Sequence, residues 1–290
     1  DDLFKDLFDA FERIPDPRRA QGRRHKLSAL LTAYVGAMLC NCHHTAAVVQ
    51  WLDHHKKKIY RFGLDHGPPS ESTYSRLFAR ITPKRFARIV GRAVKARLKA
   101  ETQLAVDGKT SRAAHVGEDG KAVHILDFVA TTSHECLYAA IVDTKKNEAK
   151  TAEKLLPSVL REFPKVRTVT GDAMFLQREI CKAIRSAKKH YLIKLKANQK
   201  TQFHEATRLL GKKRKPHYSI TRKDHGRIET YKAFATDEIE GWFGWPGLKS
   251  ALRIEKTTEK MRRGRRVKKT VTNHYALSSL PSDAQTLFSI

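Results

Sequence analysis

The spacing of apolar residues changes near residue 100, and that change restricts the chain to folds that join a helical part to an α/β part. Before it, "LFKDLFDAFERI", "LSALLTAYVGAMLC" and "TAAVVQWLDHHKKKIYRF" place apolar residues at helical intervals. "STYSRLFARI" adds a short helix after the turn "GLDHGPPSES", and Thr82 with Pro83 suits the start of another, "KRFARIVGRAVKARL". After residue 100, "QLAVDGK", "HILDFVATT", "CLYAAIVD", "VRTVTGDAMF" and "HYLIKLKA" read as strands, with "NEAKTAEKLLPSVLREF" and "LQREICKAIRSA" as helices between the later ones. Three sequential antiparallel strands followed by crossover helices predict a mixed sheet. From about 201 to 280 the helices are expected to stop. There "HYSITR", "RIETYKAFAT", "ALRIEKTTEK" and "VKKTVTNHYALSSL" predict a small antiparallel β insertion, with "MRRGRRVKK" as a basic hairpin tip turning at Gly264. The expected division is a helical domain over 1–98 and an α/β domain over 99–290.

Charge narrows the partners. Lys and Arg number 57 against 30 Asp and Glu, a formal charge of +27. Such an excess repels itself and calls for a polyanion, with nucleic acid as the first candidate and an acidic membrane surface as the rival. No stretch approaches the ~18 apolar residues of a membrane span, and no basic amphipathic helix stands at a terminus. Hydrophobic residues make up 40% of the chain and are spread along it, which argues against global disorder. The four cysteines have neither C-x-x-C spacing nor a disulfide framework, which fits a reducing, cytoplasmic compartment. "CNCHH", Cys40 to His44, reads either as half of a metal site or as packing at a helix end; a second ligand cluster is not evident.

Asp107 and Asp172 each stand where an apolar strand run ends, the edge at which open α/β sheets gather their sites. Singly, each reads equally as a turn former or helix cap. Together, on nearby strands, they suit a shared Mg²⁺ with room for water and phosphate oxygens, and a metal pair of this kind serves phosphoryl transfer.

Five basic features are candidate DNA contacts: Arg18, Arg19, Arg23 and Arg24 in "DPRRAQGRRHK"; Tyr74, Arg76 and Arg80 in the short helix; Lys212 to Lys215; Arg262, Arg263, Arg265 and Arg266 with Lys268 and Lys269 at the hairpin tip; and Lys194, Lys196, Asn198 and Gln199 at a strand end. Such charge runs read otherwise as solvated faces. The Glu71–Ile81 helix is compatible with a helix-turn-helix reader or with a plain bundle helix. Trp242 and Trp245 are candidates for stacking on a base, or for packing.

"LAVDGKT", "DTKKNEAKTAEKLL", "VTGDAMFLQREI", "YLIKLKANQ", "DHGRIETY" and "HYALSSL" follow one another in an order that resembles the H-repeat-associated insertion-sequence transposases. Upstream, "DPRRAQGRRHKLSALL" and "PPSESTYSRLF" resemble the helical region that precedes their catalytic domain. The resemblance spans nearly the whole chain. It implies a ribonuclease-H-like DDE fold carrying the antiparallel β insertion, and a transposase that cleaves and transfers DNA strands at insertion-sequence ends. It implies Mg²⁺ or Mn²⁺ as cofactor, double-stranded transposon ends as partner, a homodimer in the synaptic complex, no membrane, and a nucleoid-associated bacterial location. Asp107 and Asp172 become the first two acids of a triad. The third is expected on a helix after the insertion; "DAQTLFSI" opens such a helix and stops at Ile290, so a C-terminal truncation is expected. The other candidate is Glu229, beside His225 and Arg227, and Arg227 joins the expected DNA contacts. Glu148 reads as an acid opening a helix. A transposase-derived DNA-binding protein without catalysis and a nuclease on the same fold stay open as alternatives.

Overall fold

The computed structural model describes residues 3–82, 86, 89, 102–115, 122–142, 147–211, 215–224, 226–239, 244–262 and 265–290. The chain divides into two compact units, Asp1–Lys99 and Ala100–Ile290.

The first unit is helical. α1 (Leu3–Glu12), α2 (Leu27–Leu39), α3 (Thr45–His54) and α4 (Glu71–Phe78) are its described helices. Phe11 of α1, Leu30 and Leu31 of α2, Val48 and Leu52 of α3, and Tyr74 and Leu77 of α4 share one core. Each such side chain contributes roughly 1.5–3 kcal/mol by leaving water. α2 is buried around most of its circumference because it lacks a polar face. α4 begins where Ser70 accepts a hydrogen bond from the Thr73 N–H, and α3 where His44 Nδ1 accepts one from Ala47. "CNCHH" is thus a helix end followed by a helix start, with Asn41 in the left-handed region between them (φ 70°). Thr82 is described, whereas Pro83 and most of the helix expected after it lie outside the described residues.

The second unit is a mixed α/β structure built on one nine-stranded sheet. Its strands are β1 (Gln103–His115), β2 (Ala122–Ala130), β3 (Cys136–Val142), β4 (Thr168–Gly171), β5 (His190–Leu195), β6 (Tyr218–Asp224), β7 (Arg227–Thr236), β8 (Ser250–Arg262) and β9 (Arg265–Ser278), in the order β3-β2-β1-β4-β5-β9-β8-β7-β6. β1, β4 and β5 run parallel; β2 and β3 are antiparallel to their neighbours. α5 (Glu148–Glu162) and α6 (Arg178–Ser186) supply the crossovers. Leu104, Leu126, Phe128, Val169, Tyr191 and Ile193, fully or almost fully buried, form the sheet's inner surface.

Two features depart from the sequence-based expectation. Strands β6–β9 do not form a small sheet of their own: β9 returns antiparallel to β5, with Leu192 opposite Ser278 and Leu195 opposite Tyr275, so they extend the central sheet. Moreover, 201–280 is not free of helix. α7 (Lys200–Gly211) buries Ala206 and Leu210, one helical turn apart. α8 (Ala284–Ser289), the helix expected to open after the insertion, follows β9. α8 is capped by Asp283, which accepts from the Gln285 and Thr286 N–H groups, and it rests Leu287 and Phe288 on β7 and β8.

Candidate active site

β4 is short, and its end fixes the site. β1 and β4 are parallel, with Ala105 opposite Thr170 and Val106 opposite Gly171. One more step along each chain sets Asp107 beside Asp172, on strands about 4.8 Å apart, with both side chains on one face. After Asp172 the chain leaves the sheet for a 3₁₀ turn, Ala173–Phe175, which the Asp172 side chain does not cap.

The lysines opposite define the electrostatics. Lys196 Nζ donates to Asp172 at 3.0 Å, and Lys194 Nζ lies 3.6 Å away. Partial burial pushes the Asp172 carboxyl up, but the hydrogen bond and charge of Lys196, the Ala173 N–H and the charge of Lys194 outweigh it. The net pKa lies below the ordinary carboxylate value. Lys109 Nζ sits between Asp107, at 3.8 Å, and Asp127, at 3.7 Å.

Asp127 is a site residue that sequence reasoning missed. It is the cross-strand partner of Asp107 and is mostly buried. Burial pushes its carboxyl up, Lys109 pulls it back, and the Asp107 charge adds to the rise. The available signal was an acid in the middle of the otherwise apolar run "HILDFVA".

Asp107, Asp172, Lys194, His274, Phe288 and Ile290 are among the residues lining a concavity of roughly 530 Å³. Side chains of Asp107 and Asp172 are 54% and 43% exposed, so both carboxylates open to it. Hard oxygen donors with space for water and phosphate oxygens fit Mg²⁺ or Mn²⁺. The two ammonium groups drawn to Asp172 show the pull of this site on cations. Among the described residues, no group of three or more His, Cys, Asp or Glu is arranged to hold a metal ion.

Glu229 is not brought to them. Gly171 is level with Ile193, Leu277, Ala251 and Thr236 across successive strands, which makes Asp172 level with Ala235 of β7. Glu229 lies six residues farther along β7 and four strands across, each an offset of about 20 Å at ordinary sheet spacings. Its carboxylate is instead 2.8 Å from Lys256 Nζ and accepts a hydrogen bond from the Tyr231 hydroxyl, and these hold it below the ordinary range. Glu229 is the other candidate for third acid, beside one on a helix after the insertion; the register separates it from the pair.

The expected DNA contacts divide. Arg18 is buried, pairs with Asp16 through two hydrogen bonds and donates to the His25 carbonyl, so its guanidinium closes a loop. Arg23 donates to the Arg18 carbonyl and Arg24 to that of His66. Tyr74 is core, its hydroxyl donating to the Leu30 carbonyl. Arg19, Arg76 and Arg80, with Gln21 and Thr73, line a concavity of roughly 330 Å³ in the helical unit. Lys196 is at the carboxylates, Asn198 is exposed just beyond it, and Arg227 is exposed at the start of β7. Gln199 donates to the Leu176 carbonyl. Arg262 and Arg265 are register partners at the end of the β8–β9 hairpin, next to Arg266. Lys212, Lys213, Arg214, His225, Trp242, Arg263 and Gly264 lie outside the described residues. Trp245 is buried, with Arg178 over its ring at 6.0 Å, so packing accounts for it.

No helix among the described residues is long and apolar enough to cross a membrane.

Comparison with known proteins gives a consistent assignment. Residues 99–279 match the family described as Transposase DDE domain, and residues 8–93 match the region described as DDE_Tnp_1-associated. An uncharacterized protein from the dhlA 3' region of Xanthobacter autotrophicus is 33% identical over 86% of this chain and 88% of its own length. The H repeat-associated candidate transposases YhhI and YbfD of Escherichia coli strain K12 are 26% and 27% identical. These alignments cover 84% and 78% of this chain, and 68% and 92% of the relatives. Among solved structures, a piggyBac transposase synaptic complex with hairpin DNA aligns over 98% of this chain and 59% of its own at 12% identity. Its TM-score of 0.39 is too low to carry an argument.

Proposed function

The chain belongs to the transposase DDE domain family, and from that premise we propose that it cleaves and joins DNA strands at the ends of an insertion sequence. The observation that carries the proposal is the placement of Asp107 and Asp172 side by side at an open concavity on one sheet face. We assign the second unit to the ribonuclease-H-like class; the order β3-β2-β1-β4-β5, with only β2 antiparallel to both its neighbours, supports that reading.

Asp107 and Asp172 would hold Mg²⁺ or Mn²⁺. Bound there, the ion supplies Lewis acidity to a phosphoryl oxygen and a deprotonated oxygen nucleophile at neutral pH. The residues of the chain do the rest. Asp172 is kept ionised by Lys196 and Lys194, and so stays available as an oxygen donor. With an ion held there, Lys194 and Lys196 would be free to face the phosphates of a bound strand. Lys109 Nζ likewise lies between Asp107 and Asp127.

The partner is double-stranded DNA. The +27 charge supports this reading. So does the concavity of Arg19, Arg76 and Arg80, which among its lining residues has no acid. Two copies of the chain are proposed to act together, since two ends must be joined. DNA binding without cleavage is the second reading, favoured by the gathering of only two open carboxylates among the described residues.

The test is incubation of the chain with supercoiled plasmid DNA and Mn²⁺. Nicked product that disappears with a chelator supports strand cleavage. DNA retardation with no nicking at any Mn²⁺ concentration supports the second reading.

A further inference from the structure

Behind Asp107, on the opposite face of β1, lies a carboxylate that the reaction described above does not use. Glu148 is the first residue of α5 and is 1% exposed. Its Oε2 is buried without a hydrogen-bond partner. The carboxylate rests on Gly108, the residue after Asp107. A Cβ at position 108 would fall 2.1 Å from Oε2 and 2.5 Å from the carboxyl carbon, so any other residue there would force the Glu148 carboxylate to shift. Oε1 lies 3.9 Å from His124 Nδ1, beyond hydrogen-bond reach, and that nitrogen is engaged with Thr110 Oγ1 at 2.9 Å.

A buried carboxylate short of partners destabilises a fold. The positive end of α5 offsets part of that cost. A glutamine of the same shape would avoid most of it, and a side chain at 108 would displace the group from this position. Glycine and glutamate together thus keep an acid at a place where packing alone favours an uncharged side chain. What that charge adjoins is informative. On the front face, Asp107, Asp127 and Asp172 are met by Lys109, Lys194 and Lys196, so the local charge cancels. Glu148 is a buried acid behind this cluster, and in a low-dielectric interior a charge acts on a nearby cation through less screening than at the surface.

We propose that Glu148 is a positioning residue for the divalent-cation site: its charge, set against Gly108, strengthens the hold of Asp107 and Asp172 on the ion and helps it displace the lysines. The inference rests on the reading of those two aspartates as the metal-holding pair.

The experiment is Mn²⁺ titration of the full chain, followed by the electron paramagnetic resonance of free Mn²⁺, with thermal unfolding of the metal-free protein alongside. Glu148→Gln is expected to weaken Mn²⁺ binding about tenfold while Tm stays level or rises, since a charge of this kind acts through a partly screened field. Glu148→Asp keeps the charge and is expected to stay within about threefold of the parent, given the same distance dependence. Glu148→Gln with parental Mn²⁺ affinity, or Glu148→Asp losing as much as Glu148→Gln, overturns the proposal. So does a lower Tm with unchanged affinity, the mark of a structural strut. Mn²⁺ binding that depends on Asp107 but not on Glu148 overturns this inference alone. Absence of Mn²⁺ binding, or binding indifferent to Asp107→Asn, overturns the reading of the site as well.

Discussion

Val106 and Gly171 are register partners on parallel strands, and the residue after each is an aspartate. The pairing brings Asp107 and Asp172 together from 65 positions apart in the chain without any loop having to place them. Because β4 ends at Gly171 while β1 runs on to His115, the two carboxylates sit at a step in the sheet, open to solvent on one face.

Lys196→Ala removes the strongest partner of Asp172. A carboxyl with a depressed folded pKa adds stability above its unfolded pKa and loses it as pH falls through the folded value. In the variant that folded value rises toward the ordinary range, so the contribution shrinks. Both groups are well exposed, and the loss near neutrality is ~0.2–1 kcal/mol. Acid unfolding is expected to begin at slightly higher pH, while Mn²⁺ binding tightens because a competing ammonium is gone. Circular dichroism against pH and a Mn²⁺ titration check both; weaker Mn²⁺ binding would contradict the ion-pair competition.

Strand alternation makes a sharp comparison on β9. Lys194 is opposite Ala276, so even-numbered β9 residues back to Lys268 share the face of Asp172. Lys269 points to the other face. Both lysines are exposed. On the proposed function, DNA reaching the carboxylates would pass over the first face, so Lys268→Glu is expected to weaken duplex binding severalfold more than Lys269→Glu. Equal losses, measured by fluorescence anisotropy at one salt concentration, would contradict this docking face.

Tyr74→Phe separates core from contact. The hydroxyl donates to the buried Leu30 carbonyl at 3.2 Å. Its removal is expected to cost about 0.5–1.5 kcal/mol in urea unfolding and to leave DNA affinity unchanged. A clear loss of affinity in a fully folded variant would return Tyr74 to the DNA interface.

Period and composition made the strands of the α/β part, the helices of the N-terminal part and the aspartate pair legible, because each leaves a local mark: an apolar run, a cap, an acid at a strand end. What was not legible is set by pairing between distant segments. Asp127 faces Asp107 only through the β1–β2 register, and Gly108 receives Glu148 only because α5 starts beneath it. The motif around Glu229 looked like part of the site until the register of β5, β9, β8 and β7 carried it away. α7 leaves a weak mark because its buried apolar residues, Ala206 and Leu210, are few and follow a run of polar ones.

The central claim is that Asp107 and Asp172 together hold the ion that cleaves DNA, and that Glu229 does not. The most direct measurement is Mn²⁺-dependent nicking of supercoiled plasmid by Asp107→Asn, Asp172→Asn and Glu229→Gln, with duplex binding measured on the same samples. The account predicts that either asparagine variant lowers the nicking rate by at least about a hundredfold, ~2.7 kcal/mol in barrier, with DNA binding kept, while Glu229→Gln nicks at nearly the parental rate. Nicking that survives Asp107→Asn or Asp172→Asn, or that is abolished by Glu229→Gln in a folded chain, would contradict it.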